Sequence, residues 1–273
     1  MKKDIYNRRY LLLFTMLIGI TLTTFAQVPT VTSFSPTSGR SGDVVTLTGT
    51  NFNPTPANNI VFFGATKATV TAATAISVTV TLPTSATYAP ITLTNRVIRL
   101  TASSLQNFTP TYSPAKTAIT ATDFQTKQDF NALTLPLSIA IGDLNGNDKP
   151  EMVVVNSGLN YVTVYINASI KGSIGPNSFG GSALAFLTGT NPRSVAIGDL
   201  DYDGKPDLVV ANEGSNTISV FRNNSDVGAP AIFDAKVYYP TGTSPFSVAI
   251  GHLDGDGRPD LVVTNQNWRV TQT

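Results

Sequence analysis

Cysteine is absent from the 273-residue chain. Its absence removes disulfides, zinc knuckles, thiol nucleophiles and iron–sulfur clusters together. Histidine occurs once, at His252. With neither a second histidine nor a cysteine to partner it, most nucleophile–base pairs and transition-metal sites cannot be assembled. Charge is scarce as well: 13% of residues are charged, with 18 Lys+Arg against 17 Asp+Glu, a net charge of +1. That balance argues against a basic nucleic-acid-binding surface and against a charge-rich disordered tail. These shortages argue against most enzymes. The length suits one large or two ordinary domains at roughly 100–200 residues each.

The first 26 residues have the pattern of an export signal. Lys2, Lys3, Arg8 and Arg9 make a basic start, residues 11–22 are mostly apolar, and Thr24-Phe25-Ala26 places small residues at −3 and −1 before Gln27. That is a secretory signal peptide with cleavage expected after Ala26. The apolar run falls short of the ~20 residues a membrane-spanning helix needs. Cleavage removes four basic residues and one acid, leaving 14 basic and 16 acidic residues and a net charge of −2. No later segment is apolar enough to span a membrane. The expected location is outside the cell, secreted or held at its surface.

Two compositions follow one another along the chain. Residues 28–122 hold 23 threonines and a single acid, Asp43; residues 143–265 hold seven threonines and most of the acids. The first stretch reads as β-structure. Val44-Val45-Thr46-Leu47-Thr48, Ile60-Val61-Phe62-Phe63, Ile76 to Leu82 and Ile91-Thr92-Leu93-Thr94 are short runs, several alternating apolar residues with threonine, as half-buried strands do. Pro36-Thr37-Ser38-Gly39, Asn53-Pro54, Phe63-Gly64 and Pro83-Thr84-Ser85 separate them as turns. Strands at this spacing predict a small sandwich.

The opening Pro29-Thr30-Val31-Thr32-Ser33-Phe34-Ser35-Pro36, then Gly39 and Gly42, then Val45 to Phe52, resembles the start of an IPT/TIG domain. Ile60-Val61-Phe62-Phe63-Gly64 and the closing Asn107-Phe108-Thr109 fit the same family over residues 28–112. The resemblance implies an immunoglobulin-like β-sandwich used as a spacer or binding module, with no shared catalytic residues. Fold class alone therefore says little about function. Residues 113–136 are weakly patterned and read as a connection.

The second stretch contains a repeat. Ile141 to Asn156, Ile197 to Asn212 and Ile250 to Asn265 are three copies of one pattern, offset by 56 and 53 residues. Each is a strand, a nine-residue acidic loop and a second strand. Copy two adds the turn Glu213-Gly214-Ser215-Asn216, a third strand Thr217-Ile218-Ser219-Val220-Phe221, and a fourth expected near Ala235 to Tyr239. Four antiparallel strands per ~50-residue unit is the arithmetic of a β-propeller blade.

Ten of the 17 acids fall in the three loops. Loop two carries Asp199, Asp201, Asp203 and Asp207 at positions 1, 3, 5 and 9, with Gly204 at 6. Four like charges so close repel one another strongly without a counter-ion. A hard cation taking 6–8 oxygens at about 2.3–2.6 Å accounts for them, and calcium suits a flexible oxygen cage better than magnesium. Lys205, at position 7, is expected to offer its backbone carbonyl and to point its side chain to solvent. Loop one offers Asp143, Asn145, Asn147 and Glu151, with Asp148 where glycine belongs. Loop three offers Asp254, Asp256 and Asp260, with His252 at the first position as a degenerate ligand. Ligand charge predicts that loop two binds Ca²⁺ most tightly.

These copies resemble FG-GAP/VCBS-type repeats, the calcium-loop blades of integrin-α-like propellers, over residues 137–265. The resemblance implies an adhesion or surface-binding protein in which calcium stabilises blade hairpins. The predicted fold is thus all-β: an N-terminal immunoglobulin-like sandwich plus an incomplete propeller of two to three blades across residues 137–273. Copy three is followed by eight residues and is expected to lack its third strand. Two blades and a fragment do not close a ring of 4–8, so closure is expected from a longer parent or another chain.

The leading functional expectation is an exported, calcium-binding, non-enzymatic adhesion protein with an extracellular glycan or protein as ligand, and with neither nucleic acid nor membrane as partner. The alternatives are an accessory piece of a polysaccharide-degrading enzyme, for which no paired carboxylates stand outside the loops, and a purely structural matrix module. Asn107-Phe108-Thr109, Asn167-Ala168-Ser169 and Asn223-Asn224-Ser225 fit glycosylation sequons and are assigned no role.

Overall fold

The computed structural model describes residues 27–112, 120, 125–170, 173–181, 183–266 and 269–272. The expected signal peptide and part of the connection lie outside them. Strands dominate, and the helical elements among the described residues are single 3₁₀ turns.

The sandwich is built from β1 (Thr30–Ser35), β2 (Ser38–Gly39), β3 (Val44–Thr50), β4 (Asn59–Phe63), β5 (Thr66–Ala73), β6 (Ser77–Thr81), β7 (Ala89–Asn95) and β8 (Leu100–Pro110). Hydrogen bonds link them in the order β1-β3-β6-β5-β4-β7-β8-β2, so the sheet curls into a barrel-like sandwich. β5 makes the corner: its first half pairs with β4 and its second half with β6. The alternation read from the sequence sets the core. Val45 and Leu47 of β3 and Val78 and Val80 of β6 turn inward, while the intervening threonines lie half-buried or exposed. Phe108 is fully buried, with Phe63 edge-on at 5.0 Å and Phe34 tilted at 6.1 Å. Gly49 is fixed by close approach, since a Cβ there would lie 1.7 Å from the Thr30 carbonyl oxygen on β1.

Three smaller sheets follow. The first unit is β9 (Pro136–Gly142), β10 (Glu151–Asn156), β11 (Tyr161–Tyr165) and β12 (Ala183–Leu187). The second is β13 (Pro192–Gly198), β14 (Asp207–Asn212), β15 (Thr217–Phe221) and β16 (Val237–Pro240). The third is β17 (Pro245–Gly251), β18 (Asp260–Asn265) and β19 (Arg269–Gln272). All are antiparallel meanders, as blades are. The expected third and fourth strands of copy two are β15 and β16. The third unit departs from expectation, because β19 pairs with β18 from Val262↔Gln272 to Asn265↔Arg269. The short Arg-Val-Thr-Gln run suffices for a ladder on β18.

Apolar alternation also stacks the blades. Val153 and Val155 of β10, with Val162 and Val164 of β11, pack on Val195, Leu208 and Val210 of the second unit. Val209, Ala211 and Ile218, on that unit's opposite face, pack on Val248 and Val263 of the third. Polar ties repeat at the same register. Asn160 Oδ1 accepts the Asn191 N–H and Asn216 Oδ1 accepts the Ser244 N–H, each at 2.8 Å, joining one hairpin to the entry of the next blade. The outer face of the first unit has no blade against it. Ile139 and Ile141 stand 57% and 56% exposed there, whereas Val195, which matches Ile139 in the repeat, is 7% exposed.

The sandwich rests on the acidic-loop end of the blades. Ala65 O accepts the Asp143 N–H at 3.3 Å, and Gly257 O accepts the Thr101 N–H at 2.6 Å. The Thr84 and Ser85 hydroxyls donate to Asp148 O at 2.8 and 3.0 Å.

Phe108→Ala empties the centre of the sandwich core. It should cost about 3–5 kcal/mol of stability, the usual range for a buried Phe, read by denaturant unfolding.

Candidate metal centre

Each acidic loop folds around its own carboxylates. In loop two, Asp199 accepts the Tyr202 N–H through Oδ1 and the Gly204 N–H through Oδ2, both at 2.8 Å. Asp207, at the start of β14, accepts the Leu200 N–H through Oδ2 and the Asn223 N–H through Oδ1, both at 2.8 Å. Asp203 Oδ1 accepts the Lys205 N–H at 2.8 Å. The chain can wind this tightly because Tyr202 and Gly204 take positive φ, 66° and 84°. Glycine at position 6 is required twice over: the backbone is left-handed, and a Cβ there would sit 2.7 Å from Lys67 Nζ of the sandwich.

The result brings one carboxylate oxygen each from Asp199, Asp201 and Asp207 within 4.8 Å of one another. Among the described residues this is the one cluster of three acidic, His or Cys ligand groups so close. Asp203 stands outside it. Arg222, on the turn after β15, donates from Nε to Asp201 Oδ2 and from Nη2 to Asp203 Oδ2, the latter at 2.9 Å, and reaches Asp234 at 3.5 Å. Lys205 differs from expectation: it is half-buried and lines a cleft beneath the sandwich, because the sandwich occupies the space where solvent was expected.

Burial makes the cluster electrostatically costly. Desolvation pushes Asp207 up to about 7 and Asp199 up to about 6; backbone N–H donors offset part of this, and neighbouring aspartates add to it. Asp203 is raised for the same leading reason. Three such carboxylates beside Asp201 form the kind of oxygen-rich group that a dication neutralises.

Loop one repeats the frame with fewer charges. Asp143 accepts the Asn147 and Asp148 N–H groups at 3.1 and 2.9 Å, and Glu151 Oε2 accepts the Leu144 N–H at 2.9 Å. Asp148 takes the left-handed conformation (φ 62°) that glycine takes in the other loops. Asn147 Oδ1 is occupied by the Lys149 N–H, while Asn145 is 4% exposed and its Oδ1 has no hydrogen-bond partner. Glu151 is fully buried and desolvation pushes it up to about 7; Asp143 is raised likewise.

Loop three keeps the turns but opens outward. Asp260 Oδ2 accepts the Leu253 N–H at 2.6 Å, and Asp254 and Asp256 cap the turns that follow them. Asp254 and Asp256 are exposed. His252 places Nδ1 2.8 Å from the Arg258 carbonyl oxygen, so one ring nitrogen is taken by the backbone.

Four participants escaped the sequence reading. Arg222 lies 15 residues past the loop, in a position filled by Ile166 in copy one, so no periodicity marks it. Lys67 comes from the other domain. Asn167 and Asn223 had a signal, the two sequon-like triplets, but it points elsewhere. Both are buried, at 7% and 0% exposure. Asn223 Nδ2 donates to Leu144 O and Pro206 O, each at 2.8 Å, and Asn167 Nδ2 donates to Pro150 O at 2.8 Å. In each, Oδ1 accepts the N–H of the serine two residues on at 2.9 Å. The triplets are Asx turns that tie loop to strand.

An antiparallel sandwich followed by stacked blades with acid-lined hairpins defines a modular β-protein of the binding or adhesion type. Residues 29–112 match the IPT/TIG domain, and residues 143–210 and 199–263 match the FG-GAP-like repeat. The chain thus carries an IPT/TIG domain followed by FG-GAP-like repeats. No curated protein matches it. Solved structures similar to it include a putative phosphatase from Bacteroides thetaiotaomicron VPI-5482, at 15% identity and a TM-score of 0.31, over 88% of this chain and 53% of that one. Auxiliary nutrient binding proteins from B. thetaiotaomicron VPI-5482 and Bacteroides ovatus ATCC 8483 align at 12% and 13% identity and TM-scores of 0.29, each over 90% of this chain and 67% of theirs. The chain spans about half the length of the phosphatase. Scores this low transfer no function. No helix among the described residues is long and apolar enough to cross a membrane.

The raised carboxylates set a pH dependence. Asp207 and Glu151 hold protons up to about pH 7 in the fold, but only to about pH 4 once unfolded. Between those values the native state binds more protons, so stability rises as pH falls. Metal-free protein should therefore melt higher at pH 5.5 than at pH 8, and saturating calcium should flatten or invert the difference. Calorimetry at the two pH values, with and without calcium, reads it.

Proposed function

We propose that the chain is an exported, calcium-binding surface or adhesion module without catalytic activity of its own. The convergence of Asp199, Asp201 and Asp207 on one point carries this reading. Backbone N–H donors order these carboxylates, and the cationic groups beside them are Arg222 and Lys67. Asp203 and the Lys205 carbonyl would complete an oxygen set at the spacing a calcium loop needs. When bound, the ion supplies charge neutralisation and cross-links loop to strand. It stabilises the blade hairpin on which the sandwich sits.

The pattern of residues 1–26 supports export. The lack of catalysis rests on chemistry: the single histidine is turned onto a backbone carbonyl, and the buried carboxylates are committed to loop N–H groups. The expected ligand is an extracellular glycan or protein. Loop one, with two carboxylates and an unpartnered Asn145 oxygen, and the exposed loop three, would bind the ion more weakly than loop two.

Thermal unfolding in chelator, magnesium and calcium tests this. Calcium at 100 times its Kd should add about 2.7 kcal/mol, magnesium much less, and Asp201→Ala should abolish most of the gain. A calcium response unchanged in Asp201→Ala would overturn the assignment to loop two. A second variant probes competition. Arg222→Gln frees Asp201 and Asp203 from an exposed ion pair, so calcium affinity read by titration calorimetry should rise.

A further inference from the structure

Between the sandwich and loops one and two lies a cleft of about 500 Å³, within the range of small-molecule sites. Lys67 and Arg96 enter its wall from the sandwich and Lys205 from loop two. Lys67 and Arg96 are exposed, so a molecule in the cleft can reach them, and Lys205 is half-buried. Among the described residues none of the three has an acidic partner within 4.0 Å. Lys67 lies below its ordinary value, first through desolvation and then through the charge of Arg96, against the opposing pull of Asp199 and Asp203.

Three acids share the wall, but two are engaged. Both oxygens of Asp143 accept backbone N–H groups, and Asp203 is held by Arg222 and the Lys205 N–H. Asp148 gives its backbone carbonyl to Thr84 and Ser85 and keeps its carboxylate as an acceptor on the wall. The cleft therefore offers cations for an anionic group beside a carboxylate that accepts hydroxyl protons. A ligand bearing both a carboxylate and hydroxyl groups satisfies both halves; an acidic peptide lacks the hydroxyls and meets Asp148 with repulsion.

We propose that this cleft binds a uronic acid unit of an acidic polysaccharide, its carboxylate between Lys67 and Arg96 and a ring hydroxyl donating to Asp148. The proposal rests on the reading of the chain as an extracellular binding module, but not on calcium occupancy of any loop.

Titration calorimetry of the purified protein with tri-galacturonate tests it, with maltotriose as the neutral probe and tri-glutamate as the acidic peptide. Tri-galacturonate should bind, less tightly as salt rises. Lys67→Ala, Lys67→Gln and Arg96→Ala should each weaken it about ten-fold, the loss expected for a charge-assisted hydrogen bond. Lys236→Ala, remote from the cleft, should leave it unchanged. No binding of tri-galacturonate, equal binding of maltotriose or tri-glutamate, or full affinity in both Lys67 variants and in Arg96→Ala would overturn the proposal. The calcium shift in melting temperature, read on the same preparation, separates the two readings. A calcium response without tri-galacturonate binding sinks the cleft alone.

Discussion

The carboxylate at position 9 of each loop is the contact on which the blades depend. Glu151, Asp207 and Asp260 each begin the second strand of a unit and reach back to the N–H of the residue at position 2, Leu144, Leu200 or Leu253. That one bond closes the loop and sets the entry of the strand, and in the second and third units Leu208 and Leu261 then enter the packing between blades. Asp207 adds a second bond, to Asn223 N–H, and so ties the third strand to the same carboxylate. Removing charge from water to do this is unfavourable, which is why burial pushes Glu151 and Asp207 up to about 7. The fold places its least hydrated acids where its geometry is most exacting.

Much of this was legible because the physics is local. Alternation of threonine with valine or leucine fixed which residues of β3 and β6 face the sandwich core. Three copies of one strand–loop–strand pattern spaced by 56 and 53 residues, with an acid ending each loop, marked the blades and the acidic positions in them. Local reasoning failed where a partner arrives from a distance. Arg222 has no counterpart in the other copies, and Lys67 belongs to a domain whose docking no sequence period encodes. The same docking put Lys205 in a cleft rather than in solvent. The third strand of the last unit was missed because four residues carry little periodicity, although a ladder on an existing strand needs little.

The sandwich is more than a spacer beside the blades. It contacts loop one through Ala65, Thr84 and Ser85, loop two through Lys67, and loop three through Thr101. Any ordering of the loops is thereby felt at its surface. Glycine at position 6 gains a second reason in loop three, where a Cβ on Gly257 would press against Val28 and Leu100. Turn geometry and domain contact thus constrain the same atom.

The buried Asx turns at Asn167 and Asn223 bear on how the protein can be made. Both spell a glycosylation triplet, and both amides are consumed inside the folded hairpin. In a eukaryotic secretory pathway oligosaccharide is transferred while the chain is still unfolded, before these amides are sheltered. A glycan on Asn223 Nδ2 would cost the donor that holds Leu144 O and Pro206 O and would wedge a bulky group between two blades. Yeast or mammalian secretion would then yield misassembled blades from a correct gene. A bacterial host avoids the lesion, whereas Ser225→Ala would remove the buried hydroxyl that donates to Asn223 Oδ1 and accepts the Ile232 N–H.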